Sequence, residues 1–217
     1  FNQTVMNSCN PAFIEWGRRV GVDNFYTYID KLGLTSKTGI DIAGEAGTII
    51  HKKENVGEVE LATMSFGQSF QITPMQMLRA AAAIVNGGNL VTPHFAIRTC
   101  AADKTTYSEF SYSTTQEAVS KETSDTMKDI LRQVVEEGGG KNAYIEGFSI
   151  GGKTATSQKL PRGSGKYIAS FIGFSDVTDP SVIAMCLIDE PQGVYYGGTI
   201  AAPVIRELYD NILPYMD

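Results

Sequence analysis

The sequence predicts an α+β fold, and three observations carry that reading. Apolar residues recur at helical spacing through most of the first two thirds, with caps and glycine stops. From Gly147 the period changes to three strand-like runs joined by turns too short for a crossover. One amphipathic helix follows them. Helices first, then a meander, then a closing helix is the order of an α+β chain.

Pro11 to Val20 is expected to be helical, with Asn10 as its cap and Pro11 in the first turn, and Gly21 ends it. Asp23 is expected to cap a second short helix in which Phe25, Ile29 and Leu32 share a face. Thr38 to Glu45 is turn-rich and reads as an ordered loop. Thr73 caps and Pro74 starts a helix through Met77, Leu78, Ala81 and Ile84, stopped at Gly87-Gly88. Phe95 to Tyr112 reads as loop with hairpin strands. Ser120 caps a helix whose stripe is Met127, Ile130, Leu131, Val134 and Val135, ended by Gly138-Gly139-Gly140. The strands are Gly147–Gln158, Tyr167–Asp176 and Val182–Asp189, joined through Leu160–Gly165 and Thr178–Ser181. The last helix, Ala202 to Leu213, is expected to present Val204, Ile205, Leu208 and Ile212 to the sheet. The chain is expected to form part of a single domain, helical over about 1–146 and sheet plus helix over about 147–217.

Composition narrows the function. The 217 residues are 42% hydrophobic and 19% charged, enough for a core and against disorder. A net charge of -6 argues against a nucleic-acid binder. No run of about 18 apolar residues is present to span a bilayer. The opening Phe-Asn-Gln shows neither an initiator methionine nor a signal peptide and reads as an excised piece. Cys9, Cys100 and Cys186 are widely spaced and odd in number, so they are expected to be buried or half-buried thiols. With His51 and His94 the only histidines, no metal site and no cofactor are expected.

Gly147-Phe148-Ser149-Ile150-Gly151-Gly152-Lys153-Thr154 fits the phosphate-binding pattern G-x-x-x-x-G-K-[ST]. That chemistry needs a helix starting at the lysine, whose amides hold the phosphates. Here Thr154 to Thr156 are poor helix formers, and Pro161, Gly163 and Gly165 follow. As a strand the same residues place Lys153, Ala155 and Ser157 on one side and Thr154 and Thr156 on the other. An edge strand of this kind binds an extended peptide and offers a cation to a carboxylate. Two glycines before the lysine are expected to let a ligand approach closely.

Far upstream, Ser8-Cys9-Asn10 stands at the start of a helix. Serine-x-asparagine and lysine-threonine-glycine are two of three motifs shared by penicillin-binding proteins and serine β-lactamases, the third being serine-x-x-lysine. Ser8-Cys9-Asn10 resembles the first of these, and Lys153-Thr154-Ala155 resembles the second. The surrounding blocks resemble the class B (monofunctional, high-molecular-mass) penicillin-binding proteins, in that family's order. They are Asn7 to Phe13, Thr38 to Glu45, Ser65-Phe66-Gly67-Gln68 with Thr73-Pro74-Met75-Gln76, Asn86-Gly87-Gly88, and Tyr195-Tyr196-Gly197-Gly198 with Ala201-Ala202-Pro203-Val204. Lys37-Thr38-Gly39 spells the lysine motif too, but no strand pattern follows it and it is assigned no catalytic role.

The resemblance departs from the family in two places. No serine has lysine three positions later, and the third motif ends in Ala155 where the family usually has glycine. The resemblance implies a β-lactamase/transpeptidase-like fold, here its C-terminal part. It implies a D,D-transpeptidase that crosslinks peptidoglycan stem peptides and binds β-lactam antibiotics. Ser8 is then expected to relay a proton to the leaving group, and Asn10 to hydrogen-bond the substrate amide. Lys153 supplies positive potential, and the hydroxyls of Thr154 and Thr156 hold the substrate carboxylate. The Thr156 N–H is one arm of the oxyanion hole. Ala155 crowds a ligand lying along the strand. Without the nucleophile the chain alone is expected to be inactive. Two other readings share the motifs: an inert scaffold that never had the serine, and a β-lactamase or penicillin sensor, against which Gly67-Gln68 and Ala201-Ala202-Pro203 speak. The resemblance further implies the outer face of the cytoplasmic membrane, with membrane contact only through an N-terminal anchor outside these residues. Since the family's sheet has five strands, Val182–Asp189 is expected to leave an apolar edge that self-association or a complementing chain covers.

Overall fold

A computed structural model describes residues 1–161 and 163–216. Arg162, inside the expected Leu160–Gly165 turn, and Asp217, the last residue of the expected sheet-plus-helix part, lie outside the described residues.

The helical part opens with α1 (Asn2–Met6) and α2 (Asn10–Lys31). Gly21 breaks α2 as the sequence predicts, with φ 74° and ψ 161°, so 10–20 and 22–31 are separate arms. The cap is not Asn10. The Cys9 carbonyl already accepts from the Ala12 and Phe13 amides, which makes Cys9 the capping residue and Asn10 the first helical one. Nor does Asp23 cap the second arm; its carboxylate pairs with Lys53 at 2.8 Å. Tyr26 and Ile29 bury that arm, and the Tyr26 hydroxyl donates to the His51 carbonyl at 2.6 Å.

A short helix α3 (Glu58–Ser65) packs on α2; the Glu60 carboxylate accepts from the Gly57 N–H at its start. Gly17 lets the two helices touch, since a Cβ there would lie 1.8 Å from Ser65 Oγ. α4 (Pro74–Val85) starts at Thr73 as predicted, whose hydroxyl accepts from the Gln76 N–H while Gln76 Oε1 accepts from the Thr73 N–H. The fully buried Gln76 amide also donates to the Ser36 carbonyl and to Thr48 Oγ1, tying the loop before α3 to α4. Strands β1 (Leu90–Val91) and β4 (Thr114–Thr115) pair, and β2 (Arg98–Cys100) and β3 (Tyr107–Glu109) form the expected hairpin. α5 (Lys121–Glu136) is capped by Ser120 and buries Ile130, Val134 and Val135, three residues of the predicted stripe.

Strands β5 (Ile150–Gln158), β6 (Tyr167–Ser175) and β7 (Ile183–Asp189) form an antiparallel meander in the order β5-β6-β7. Register runs from Ile150 opposite Ser175 to Gln158 opposite Tyr167, without a bulge. Phe171 in the middle strand is fully buried in one core with Val135 of α5 and with Ile205 and Tyr209 of α7 (Ala202–Ile212). A four-residue helix α6 (Gly197–Ile200), which the sequence reading did not resolve, precedes α7.

Two packing expectations need correction. The α7 face on the sheet is Ala202, Ile205 and Tyr209, whereas Val204 and Leu208 are 47% and 41% exposed. The Tyr209 hydroxyl sets this phase by donating to the Gly173 carbonyl at 2.7 Å inside the core. Burial pushes the Tyr209 pKa far up. Tyr209→Phe removes that bond while the strand pairing of Gly173 with Ala184 remains, and thermal or urea unfolding should show a loss of about 0.5–1.5 kcal/mol. The thiols are also less buried than expected, since Cys9 and Cys100 are exposed and Cys186 is intermediate. Both short-strand ends and helix starts are surface positions, which explains the first two.

Candidate active site

β5 is an edge strand among the described residues, and it carries Lys153, Thr154 and Thr156. Ser8 sits in the turn between α1 and α2, and its φ of 50° places a non-glycine residue in the left-handed region. The turn is held locally, with the Ser8 N–H donating to the Val5 carbonyl and the Cys9 N–H to the Thr4 carbonyl. Strain of this kind persists where surrounding contacts over-determine the backbone, and it is frequent at functional sites. Here it aims the Ser8 hydroxyl across the gap to β5.

There the two motifs meet. Lys153 Nζ donates a hydrogen bond to Ser8 Oγ, between residues 145 positions apart in the chain. The lysine stem folds over the strand edge, since Nζ also donates to the Thr154 carbonyl at 3.0 Å and lies 3.5 Å from Thr154 Oγ1. Burial lowers the Lys153 pKa to about 8, and among the described residues no carboxylate opposes that shift. This leaves a desolvated cation beside a hydroxyl, a natural seat for an anionic ligand group.

The same shift sets a stability window. A lysine whose folded pKa lies below its unfolded value is bound to fewer protons when folded, so stability rises with pH between the two values. From pH 8 to 10.5 the wild-type protein should gain about 3 kcal/mol relative to Lys153→Met, at 1.36 kcal/mol per pKa unit. Urea unfolding of both proteins at the two pH values checks this. Parallel pH dependences would show that the ammonium is not desolvated.

The other predicted residues divide. Thr156 is exposed, and its Oγ1 accepts from the Gly197 N–H at 3.2 Å. Thr154 is half-buried beneath Gly139 and Gly198. Ala155 is exposed on the strand. Asn10 lies two residues from Ser8 but is exposed, and no hydrogen bond joins it to Lys153 among the described residues. The structure therefore brings Ser8 and Lys153 together and leaves Asn10 beside them. The glycines before the lysine serve packing instead of ligand approach. A Cβ on Gly151 would lie 2.2 Å from Phe174 Cζ, and one on Gly152 2.5 Å from Phe171 Cζ.

Two contacts were outside the sequence reading of the site. Gln68 Nε2 donates to Ser157 Oγ at 3.3 Å, closing the helical part onto β5. Tyr167, Tyr195 and Tyr196 form an aromatic pile at the end of that strand, with centroids 4.0 and 4.6 Å apart. The pairing of Gln158 with Tyr167 fixes its place. A tyrosine at each of these positions was visible in the sequence, but only the register shows that they converge. Among the described residues no cluster of three or more His, Cys, Asp or Glu side chains is placed to hold a metal ion. None of their helices is long and apolar enough to cross a membrane.

Known proteins resemble this chain over nearly its whole length. Residues 1–210 match the family described as penicillin binding protein transpeptidase domain. Stage V sporulation protein D of Bacillus subtilis is 42% identical over 98% of this chain and 34% of its own length. A probable peptidoglycan D,D-transpeptidase, PenA, of Neisseria meningitidis is 30% identical over 96% of this chain and 35% of its own. The chain thus spans about a third of the length of these curated relatives. Among solved structures, penicillin-binding protein 3 of Mycobacterium tuberculosis complexed with aztreonam superposes with a TM-score of 0.90 at 26% identity. That match covers 99% of this chain and 51% of the other. The fold agrees with that of the solved structure, and the chain belongs to the transpeptidase domain family of the penicillin-binding proteins, in its class B branch.

Proposed function

We propose that this chain supplies the proton-relay and carboxylate-binding half of a serine D,D-transpeptidase that crosslinks peptidoglycan stem peptides. The observation that carries the reading is the Lys153–Ser8 hydrogen bond at the free edge of β5. A cation beside a serine hydroxyl favours release of the hydroxyl proton, so the hydroxyl donates to a leaving group more readily than an isolated one does. In the proposed reaction a serine outside these residues attacks the carbonyl of the penultimate D-alanine. The new C–O bond forms as the C–N bond breaks, and the terminal D-alanine leaves with a proton delivered through Ser8. A second stem peptide's amine then displaces the serine. Lys153 and the Thr156 hydroxyl receive the substrate's terminal carboxylate, and β-lactams enter as acylating imitators of the D-Ala-D-Ala end. The Thr156 N–H is one oxyanion donor, and Asn10, exposed beside Ser8, is free to bond the substrate amide.

The reading extends to context. The substrate places the protein on the outer face of the cytoplasmic membrane, through an anchor outside these residues. The half-buried Ile183 and Met185 and the exposed Leu187 on the β7 edge are apolar surface for further strands or a second chain to cover.

Fluorescent penicillin tests the proposal. The full-length protein should acquire a covalent label at a serine outside residues 1–217, and the 217-residue chain alone should acquire none. An unlabelled full-length protein would favour the inert scaffold. A label mapped within this chain would remove the assignment of the nucleophile.

A further inference from the structure

The Thr156 hydroxyl does not stand free on its strand. It is gripped by a short segment that contacts three other parts of the chain. The Gly197 N–H donates to Thr156 Oγ1 at 3.2 Å. A hydroxyl has one proton and two lone pairs, so this bond occupies a lone pair and turns the proton away from α6. Because Thr156 is exposed, that proton is available to an incoming oxygen anion. The position of the Gly197 amide therefore decides whether Thr156 faces a ligand as a donor.

What fixes that amide is unusually close backbone packing with one side-chain tie. A Cβ at Gly197 would lie 2.4 Å from the Ala155 carbonyl and 2.2 Å from the Ser170 carbonyl, so α6 lies flat on β5 and β6. A Cβ at Gly198 would lie 2.6 Å from the Gly139 carbonyl, so the turn after α5 closes on the same segment. From the connection between α5 and β5, Asn142 Nδ2 donates to the Gly198 carbonyl at 2.7 Å. The turn after α5 reaches the other half of the site as well, through a Gly139 N–H bond to the Met6 carbonyl, two residues before Ser8.

We propose that Asn142 is a positioning residue for ligand carboxylates, acting through Gly198 and Gly197 on the Thr156 hydroxyl. The inference rests on the carboxylate-binding role given to Thr156 above. Asn142 is itself exposed and, among the described residues, hydrogen-bonds to neither Ser8 nor Lys153, so its loss leaves the acyl-transfer groups in place.

The test uses the full-length protein and two probes, a penicillin with a free carboxylate and its methyl ester. Asn142→Ala should slow acylation by the free acid about fivefold, the worth of one ordinary hydrogen bond, and alter the ester reaction less than twofold. Asn142→Asp, which keeps the size but cannot donate when ionised, should behave alike. Thr156→Val should show the same selectivity, and adding Asn142→Ala to it should change nothing further. Equal slowing of acid and ester by Asn142→Ala overturns the inference by showing a general structural role. So does an unchanged rate with the free acid. A wild-type protein that reacts alike with acid and ester overturns instead the carboxylate role of the strand, and with it the premise.

Discussion

Lys153→Met in the full-length protein should lower the rate of acylation by penicillin about 100-fold or more, with little loss of folded protein. Methionine fills the space of the lysine stem and removes only the charge and its donors. Among the described residues no carboxylate pairs with the ammonium, which stands beside the Ser8 hydroxyl and faces the open side of β5. A positioned proton-transfer group contributes about 100- to 10,000-fold, and a bound carboxylate would lose its charge-assisted partner as well. The pH profile should carry the same signature. With its pKa lowered to about 8, the free ammonium is lost as pH rises through 8, so reaction with carboxylate-bearing ligands should fall there. Stopped-flow labelling at several pH values measures both. A loss under tenfold, or a profile flat from pH 7 to 9.5, would falsify the role given to Lys153.

Ser8→Ala should cost a similar factor, about 100- to 1,000-fold in acylation, because the leaving nitrogen loses its proton donor. Alanine also inherits a backbone φ of 50°, which disfavours residues with a Cβ by roughly 1–2 kcal/mol. Ser8→Gly separates the two effects. Glycine adopts that φ without strain, so its stability should equal or exceed that of wild type while the rate stays as low as in Ser8→Ala. A glycine variant that labels at the wild-type rate would mean that the turn, not the hydroxyl, matters. Cys9 and Asn10 keep their places in both variants, since the helix starts from the Cys9 carbonyl.

Much of this site was legible before any coordinates, because local rules and distant motifs agreed. Thr73, Pro74 and Gln76 spell a capping box that the structure closes with both hydrogen bonds. Gly21 marks a break that only positive φ allows. The expected strands 147–158, 167–176 and 182–189 overlap the observed 150–158, 167–175 and 183–189, and that meander places Lys153 on an edge strand among the described residues. Ser8 and Lys153 were linked only by family resemblance, since no sequence rule brings together residues 145 apart.

What stayed hidden depends on packing between elements. Gly151 and Gly152 look like room for a ligand until the rings of Phe174 and Phe171 are seen lying on them. Val204 and Leu208 fit a helical stripe as well as Tyr209 does, but a tyrosine hydroxyl that reaches a core carbonyl outweighs their hydrophobicity in setting the face. The Asn10 cap failed by one residue, because either Cys9 or Asn10 can precede Pro11 and the left-handed Ser8 selects the first. The bond from Gly197 to Thr156 joins residues 41 apart through a four-residue helix, and periodicity cannot detect a helix that short.

A double-mutant cycle reads the meeting of Ser8 and Lys153 most directly. Acylation rates of the full-length protein, Ser8→Gly, Lys153→Met and the double variant form the four corners. If the hydroxyl and the ammonium work as one unit, the double variant should be no more than a few-fold slower than the slower single one. If the two losses instead multiply, to about 10,000-fold on the 100-fold single effects expected of each, the residues act independently and the shared site described here does not exist.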